Sequence, residues 1–218
     1  MSSAPNTSAL LVEYYDALLR DGDIENFRRN VSARYNEATL ARLLDSQNLQ
    51  ARRASVLSLG LFGGFAQSNA AVAGALKDKD STVRALAHDA AWALWFRADS
   101  PENNEKLARI RQLIDAGRLP EAIDRADQLI AQAPTFAEAY NQRAIAHFLM
   151  GQHAASASDC RLVLKHNVYH IGALGGLGQC LLHLGRRDEA VAVFRRSLEL
   201  QPFDNGLRDL IAGFDAGR

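Results

Sequence analysis

Apolar side chains recur along this chain at three- and four-residue intervals almost throughout, the period of an α-helix with one buried face. Leu11, Tyr14, Tyr15, Leu18 and Leu19 predict an amphipathic helix over residues 8–20. Gly22-Asp23 then reads as a stop followed by a helix cap, with the next helix over Asp23–Tyr35. Ser100-Pro101 starts another helix, Ser at the N-cap and Pro at the first helical position. Leu207, Leu210, Ile211 and Phe214 predict a last amphipathic helix over Asp204–Phe214. The apolar run at 55–65 is interrupted by Gly60, Gly63 and Gly64, and falls short of the roughly 18 residues that cross a bilayer.

A longer period is laid over the helical one. Gly117, Gly151 and Gly185 stand 34 residues apart. At the same spacing follow Ala122, Ser156 and Ala190, then Ala126, Cys160 and Phe194, then Ile130, Leu164 and Leu198, and finally Pro134, Val168 and Pro202. The units run 103–136, 137–170 and 171–204. Each reads as two helices around a glycine, which supplies the left-handed residue that ends the first one. The small residues at 122, 156 and 190 let the two helices approach, and Pro134 and Pro202 stop the second.

The third unit, Leu174-x-x-Leu177-Gly178-x-x-Leu181, then Ala190-x-x-x-Phe194, then Pro202, resembles the tetratricopeptide repeat (TPR). The second unit carries Tyr140 at the first aromatic position, with Ala144 for Gly and Val168 for Pro. The first has Lys106 and Ile110 at those first two positions. Upstream, Leu76-Lys-Asp78-x-Asp80-x-x-Val83-Arg84-x-x-Ala87-x-x-Ala90-Ala91-x-x-Leu94 resembles a HEAT repeat, whose Asp and Arg six apart form a polar ladder between helices. A weaker copy lies 32 residues earlier, with Ser46 in the ladder position. Together the resemblances imply an all-α protein, a right-handed α-α superhelix of helical hairpins: a HEAT-like region over 1–99, then TPR units and a capping helix over 100–218. No flexible linker separates the two, so one continuous solenoid is expected. Trp92, Trp95 and Phe96 share a helix face just before the junction. They suit an aromatic binding patch or, since large rings dominate burial, a core that joins the halves.

Charge narrows the partners. Lys and Arg number 25, Asp and Glu 25, and the parts on either side of Ser100 each balance. A nucleic-acid binder normally carries a basic excess, and a polybasic membrane anchor would show one locally, so neither partner is expected. The first eight residues lack the basic and apolar regions of a secretory leader. Two cysteines do not make a disulfide scaffold, and Cys160 and Cys180 fall at apolar helix positions, as core residues or a redox pair. A cytoplasmic protein, a monomer or weak oligomer, is the expectation.

No catalytic motif emerges, and neither a cofactor nor a metal is implied. Gly172-x-x-Gly175-Gly176-x-Gly178 lacks the spacing and the preceding strand of a phosphate loop. His166-x-x-x-His170 has metal-like spacing but spans a turn between units. Ser156-Ala-Ser158-Asp159-Cys160 has no His set against it, and the repeat columns account for Ser156 and Cys160. The TPR resemblance implies a concave groove lined by the first helix of each unit. The expected peptide-binding residues there are Arg111, Asn141, Ile145, Phe148, Gln179 and His183, with Leu107, Asp115, Glu138 and Leu182 beside them. Amides bond a peptide backbone in both directions, and Ile145 and Phe148 take its side chains. One TPR subtype clamps the C-terminal carboxylate of heat-shock chaperones. Here its positions are Leu107, Arg111, Gln142, Gly172 and Gly176, of which only Arg111 is cationic, so that recognition is not expected. The leading expectation is a non-catalytic scaffold that binds a peptide or protein segment. The alternative, from the HEAT resemblance, is a lyase-like or other ligand-handling protein.

Overall fold

A computed structural model describes residues 7–216, and every regular element among them is an α-helix, thirteen in all. The residues read above for a leader lie largely outside that range. The chain divides into two compact units, one ending at Trp95 and one beginning at Phe96.

The first unit opens with α1 (Thr7–Asp21), ended by Gly22 at φ 70°, and α2 (Ile24–Ser32), whose N-cap Asp23 accepts from the Asn26 amide at 2.9 Å. The second helix is shorter than its pattern suggested. The Arg34 and Tyr35 amides both return to the Val31 carbonyl, and Asn36 caps a separate helix, α3 (Glu37–Leu43). After α4 (Leu49–Phe62) and α5 (Phe65–Ala75), α6 (Ser81–Phe96) carries the chain to the boundary. Gly60 lets α4 and α6 meet, since a methyl there would lie 2.9 Å from the Ala90 Cβ.

The polar ladder differs from its sequence pattern. Arg84 reaches the backbone carbonyl of Asp78 at 2.8 Å, not its carboxylate. That carboxylate is held by Arg52 of the preceding hairpin, at 2.7 and 3.3 Å. Arg52 also donates to the Ser46 carbonyl at 2.9 Å, the bond Arg84 repeats 32 residues later. Each arginine thus braces the carbonyl six residues before it, which leaves the Asp78 carboxylate free to cross to α4. Arg53 and Asp80 form a parallel pair at 2.9–3.0 Å. Trp95 is buried with Trp92 edge-on at 5.0 Å, and its indole N–H donates to Asn69 at 2.9 Å.

The second unit stacks helical hairpins in series: α7 (Pro101–Asp115) with α8 (Leu119–Gln132), α9 (Ala137–Leu149) with α10 (His153–His166), α11 (Ile171–His183) with α12 (Arg187–Leu200), then α13 (Asn205–Ala216). Ser100 caps α7 and Pro101 occupies its first turn. Gly117, Gly151 and Gly185 have φ of 71–73° and end the first helix of each hairpin. Ala122, Ser156 and Ala190 are buried where the paired helices touch. One core cluster joins the α7–α8 hairpin to α9, and another joins α9 to α13. Ile211 and Phe214 of α13 close the second, with Leu207.

Candidate functional site

Small residues decide which helices of the second unit line its inner layer. Ala139, Ala146 and Ala173 are fully buried on α9 and α11, and α9 touches both α7 and α11 directly. The second helices α8, α10 and α12 do not come together to the same degree. A layer of closely spaced helices backed by a wider one curves toward the close side, so the first helices form the inner face.

The expected binding residues differ in exposure and in what they touch. Phe148 and His183 meet at 5.5 Å between ring centroids, and both contact His153, which stacks on His183 at 4.1 Å. Ile145 is exposed one turn before Leu149 on α9, and Gln179 is exposed one turn before His183 on α11. Arg111 is exposed, with its guanidinium 4.4 Å from the Phe96 ring centroid, where a cation–π contact orients it. Asn141 is only 4% exposed, and its amide donates to the Glu138 carboxylate at 2.8 Å. Leu149 at 57%, with Met150 and Leu184, adds exposed apolar surface that the binding list did not include.

Beneath this surface lies a buried polar cluster. Glu138, 1% exposed, accepts from Asn141, Gln142 at 2.7 Å and His170 at 2.9 Å. His170 Nδ1 accepts from the Ala173 amide at 3.0 Å and so caps α11, which leaves Nε2 as the donor to Glu138. A buried carboxylate is tolerated where donors replace its lost hydration, and here three do so. His166 stacks on Tyr140 at 5.6 Å, so the two histidines have different partners on α9. Among the described residues no group of three or more His, Cys, Asp or Glu side chains is placed to hold a metal ion.

The remaining candidates for chemistry sit in packing roles. Ser156 Oγ donates to the Ala144 carbonyl at 2.8 Å and accepts from the Cys180 thiol at 3.2 Å. Hydrogen bonding with Cys180 and burial push the Cys160 thiol well above its ordinary range. Asp159 is paired with Arg143 at 2.6 and 2.9 Å, and Asp127 of α8 reaches the same guanidinium at 2.5 Å. Those hydrogen bonds, Asp159 first, hold Arg143 in its charged form above the usual arginine range. The clamp positions offer little else: Leu107 and Gln142 are buried, and a Cβ at Gly176 would stand 3.3 Å from Cys160 Sγ. No helix among the described residues is long and apolar enough to cross a membrane.

Two models of the tetratricopeptide repeat match this chain, over residues 107–167 and 172–204. A TPR repeat-containing protein of Rhizobium etli is 31% identical over 117 residues, 54% of this chain and 57% of that protein. Anaphase-promoting complex subunit 3 of Schizosaccharomyces pombe is 35% identical over 82 residues, 38% of this chain and 12% of that protein. The match therefore spans little more than half of one relative and a small part of the other. Among solved structures, the first TPR of Spaghetti bound to an HSP90 peptide is 24% identical with a TM-score of 0.51, covering 55% of this chain and 94% of that one.

Proposed function

We propose that this chain, which carries tetratricopeptide repeats over most of its second unit, is a non-catalytic adaptor that binds an extended protein segment on the inner face of α7, α9 and α11. The observation that carries the reading is the cluster of Ile145, Phe148, Leu149 and His183, apolar and aromatic groups left accessible on the inner helices. Side chains of a partner would be taken there, with Gln179 bonding its backbone and Arg111 flanking it. Asn141 acts from below, by holding Glu138 and the start of α9 in place. Gly175 adds to the case: a methyl there meets nothing within 4 Å, so packing does not require glycine, yet α11 forgoes helix stability to keep one. A bare inner helix is a surface that a partner's backbone can approach. Peptide binding by a tetratricopeptide repeat has a precedent in the Spaghetti complex.

The test compares proteins captured from the native cell by the wild type and by Ile145→Glu/Leu149→Glu. Both side chains are exposed, so the double variant is expected to fold and to lose the wild-type partners. Unchanged recovery by a folded double variant would sink the groove assignment. The same chain is expected to show no saturable binding of the HSP90 peptide, because its clamp positions offer one cation. Low-micromolar affinity for that peptide would refute this part.

A further inference from the structure

A cavity of about 500 Å³ opens between α7 and α8, with no residue of α9 in its lining. Its apolar lining is the half-buried Leu113, with the fully buried Ile110 and Leu129 behind it, and its rim holds four cationic side chains against one acid, Glu121. Two of the cations are engaged: Lys106 with Glu102 and Gln132, and Arg118 with Glu121. The other two, Arg109 and Arg125, are exposed and make no hydrogen bond or ion pair with any described residue.

The repeat shows what belongs there. Thirty-four residues on, Arg109 corresponds to Arg143 and Arg125 to Asp159. On the α9–α10 hairpin that face is covered by a helix, α8, and the segment that follows it. Asp127 of α8 reaches Arg143, the Tyr140 hydroxyl donates to the Pro134 carbonyl at 3.0 Å, and Ala146 packs into the α7–α8 core. Arg143 thus receives one carboxylate from the covering helix and one from its own hairpin, Asp159. On the α7–α8 hairpin neither arrives. No described residue delivers the first, and an arginine replaces the second.

We infer that this face is a second binding site, distinct from the inner groove, and that it takes an acidic amphipathic helix from a partner protein. The apolar edge of that helix lies on Leu113, above the buried Ile110 and Leu129. Its carboxylates meet Arg109 and Arg125, as Asp127 meets Arg143 one hairpin later. Helix-in-groove docking anchored by apolar side chains and oriented by charge is a known mode of recognition. The seat excludes a basic helix, because two unpaired guanidinium groups would face its cations.

The experiment uses the full chain and two synthetic helical peptides. Both carry Leu at i, i+3, i+4 and i+7; one is flanked by Glu and the other by Lys. Binding is followed by fluorescence anisotropy at low and physiological salt. The wild type is expected to favour the acidic peptide by about ten-fold or more, less so as salt rises. Arg109→Glu/Arg125→Glu, with unchanged circular dichroism and melting, is expected to invert the preference. Ile145→Glu/Leu149→Glu is expected to leave it intact, which separates this site from the groove. Absence of binding, equal binding of both peptides, or an acidic preference that survives the double reversal would overturn the proposal. So would self-association of the chain that the double reversal abolishes, since the occupant would then be a second copy.

Discussion

Four glycines fall within seven residues on α11, and three of them offer a graded measurement of how tightly the hairpins pack. At Gly178 a Cβ would lie 2.5 Å from Cζ and 2.7 Å from Cδ1 of Phe194, and closer still to Cε1. Unstrained carbon contacts are about 3.5–4.0 Å, so the overlap is near 1 Å at three ring atoms. The ring is 1% exposed in the α9–α13 core and has no open side to retreat to. Gly178→Ala gains roughly 1 kcal/mol of helix propensity and, with three ring atoms this close, loses about 3 kcal/mol, the upper end of the usual cost of overpacking. A net destabilisation of about 2 kcal/mol is expected. At Gly175 a methyl meets nothing within 4 Å, so Gly175→Ala keeps its propensity gain and stabilises by about 0.5–1 kcal/mol. Gly176 lies between, its Cβ 3.3 Å from the Cys160 sulfur. Its substitution is expected to be near neutral, and stabilising once Cys160→Ala removes the sulfur.

Urea unfolding of the full chain by circular dichroism reads these differences directly. In thermal melts they correspond to roughly 2–4 °C per kcal/mol for a chain of this size. Opposite signs for two alanines on one helix, three residues apart, are the signature of packing, because propensity treats them alike. Gly178→Ala/Phe194→Leu is expected to cost less than the sum of its single changes, since the smaller side chain makes room for the methyl. The reasoning fails if Gly178→Ala is as stable as the wild type, or if Gly175→Ala is destabilised to a similar extent.

Two further predictions concern the first unit. Asp78→Ala removes the carboxylate from Arg52, a side chain only 7% exposed, and is expected to cost about 3 kcal/mol in denaturant unfolding, whereas substitution of exposed Asp89 costs little. An equal effect of the two would refute the buried-pair reading. The hydrogen bond from Arg53 holds the Asp80 carboxyl below the usual range, against an opposing effect of burial. Its folded value being depressed, the pair's contribution is present in full above the unfolded carboxylate value of about 4 and disappears as pH falls through the lower folded value. The stability difference between wild type and Asp80→Asn is therefore expected to be constant from about pH 7 to 5 and to shrink below that. A pH-independent difference would contradict the assignment.

Much of this molecule was legible before any coordinates. Helix stops and caps follow from atoms within about four residues of one another. Gly22 followed by Asp23, Ser100 followed by Pro101, and the glycines at 117, 151 and 185 each do locally what their residue types dictate. The 34-residue period likewise places Ala122, Ser156 and Ala190 at the helix contacts, because a repeated unit repeats its packing columns.

What the tertiary structure decided is burial and long-range pairing. Asn141 and Gln179 are both expected from the sequence to line a groove, yet one is buried against Glu138 and the other is exposed. Asp78 pairs with Arg52, 26 residues away, although Arg84 lies six residues off. Gly175 and Gly178 look alike in sequence, but only one faces a phenylalanine ring. Each of these depends on how the helices pack, within one hairpin for Gly178 and Phe194 and against neighbouring elements for the others. Local hydrogen bonding sets where a helix begins and ends, whereas the stacking of hairpins sets what each face of that helix meets.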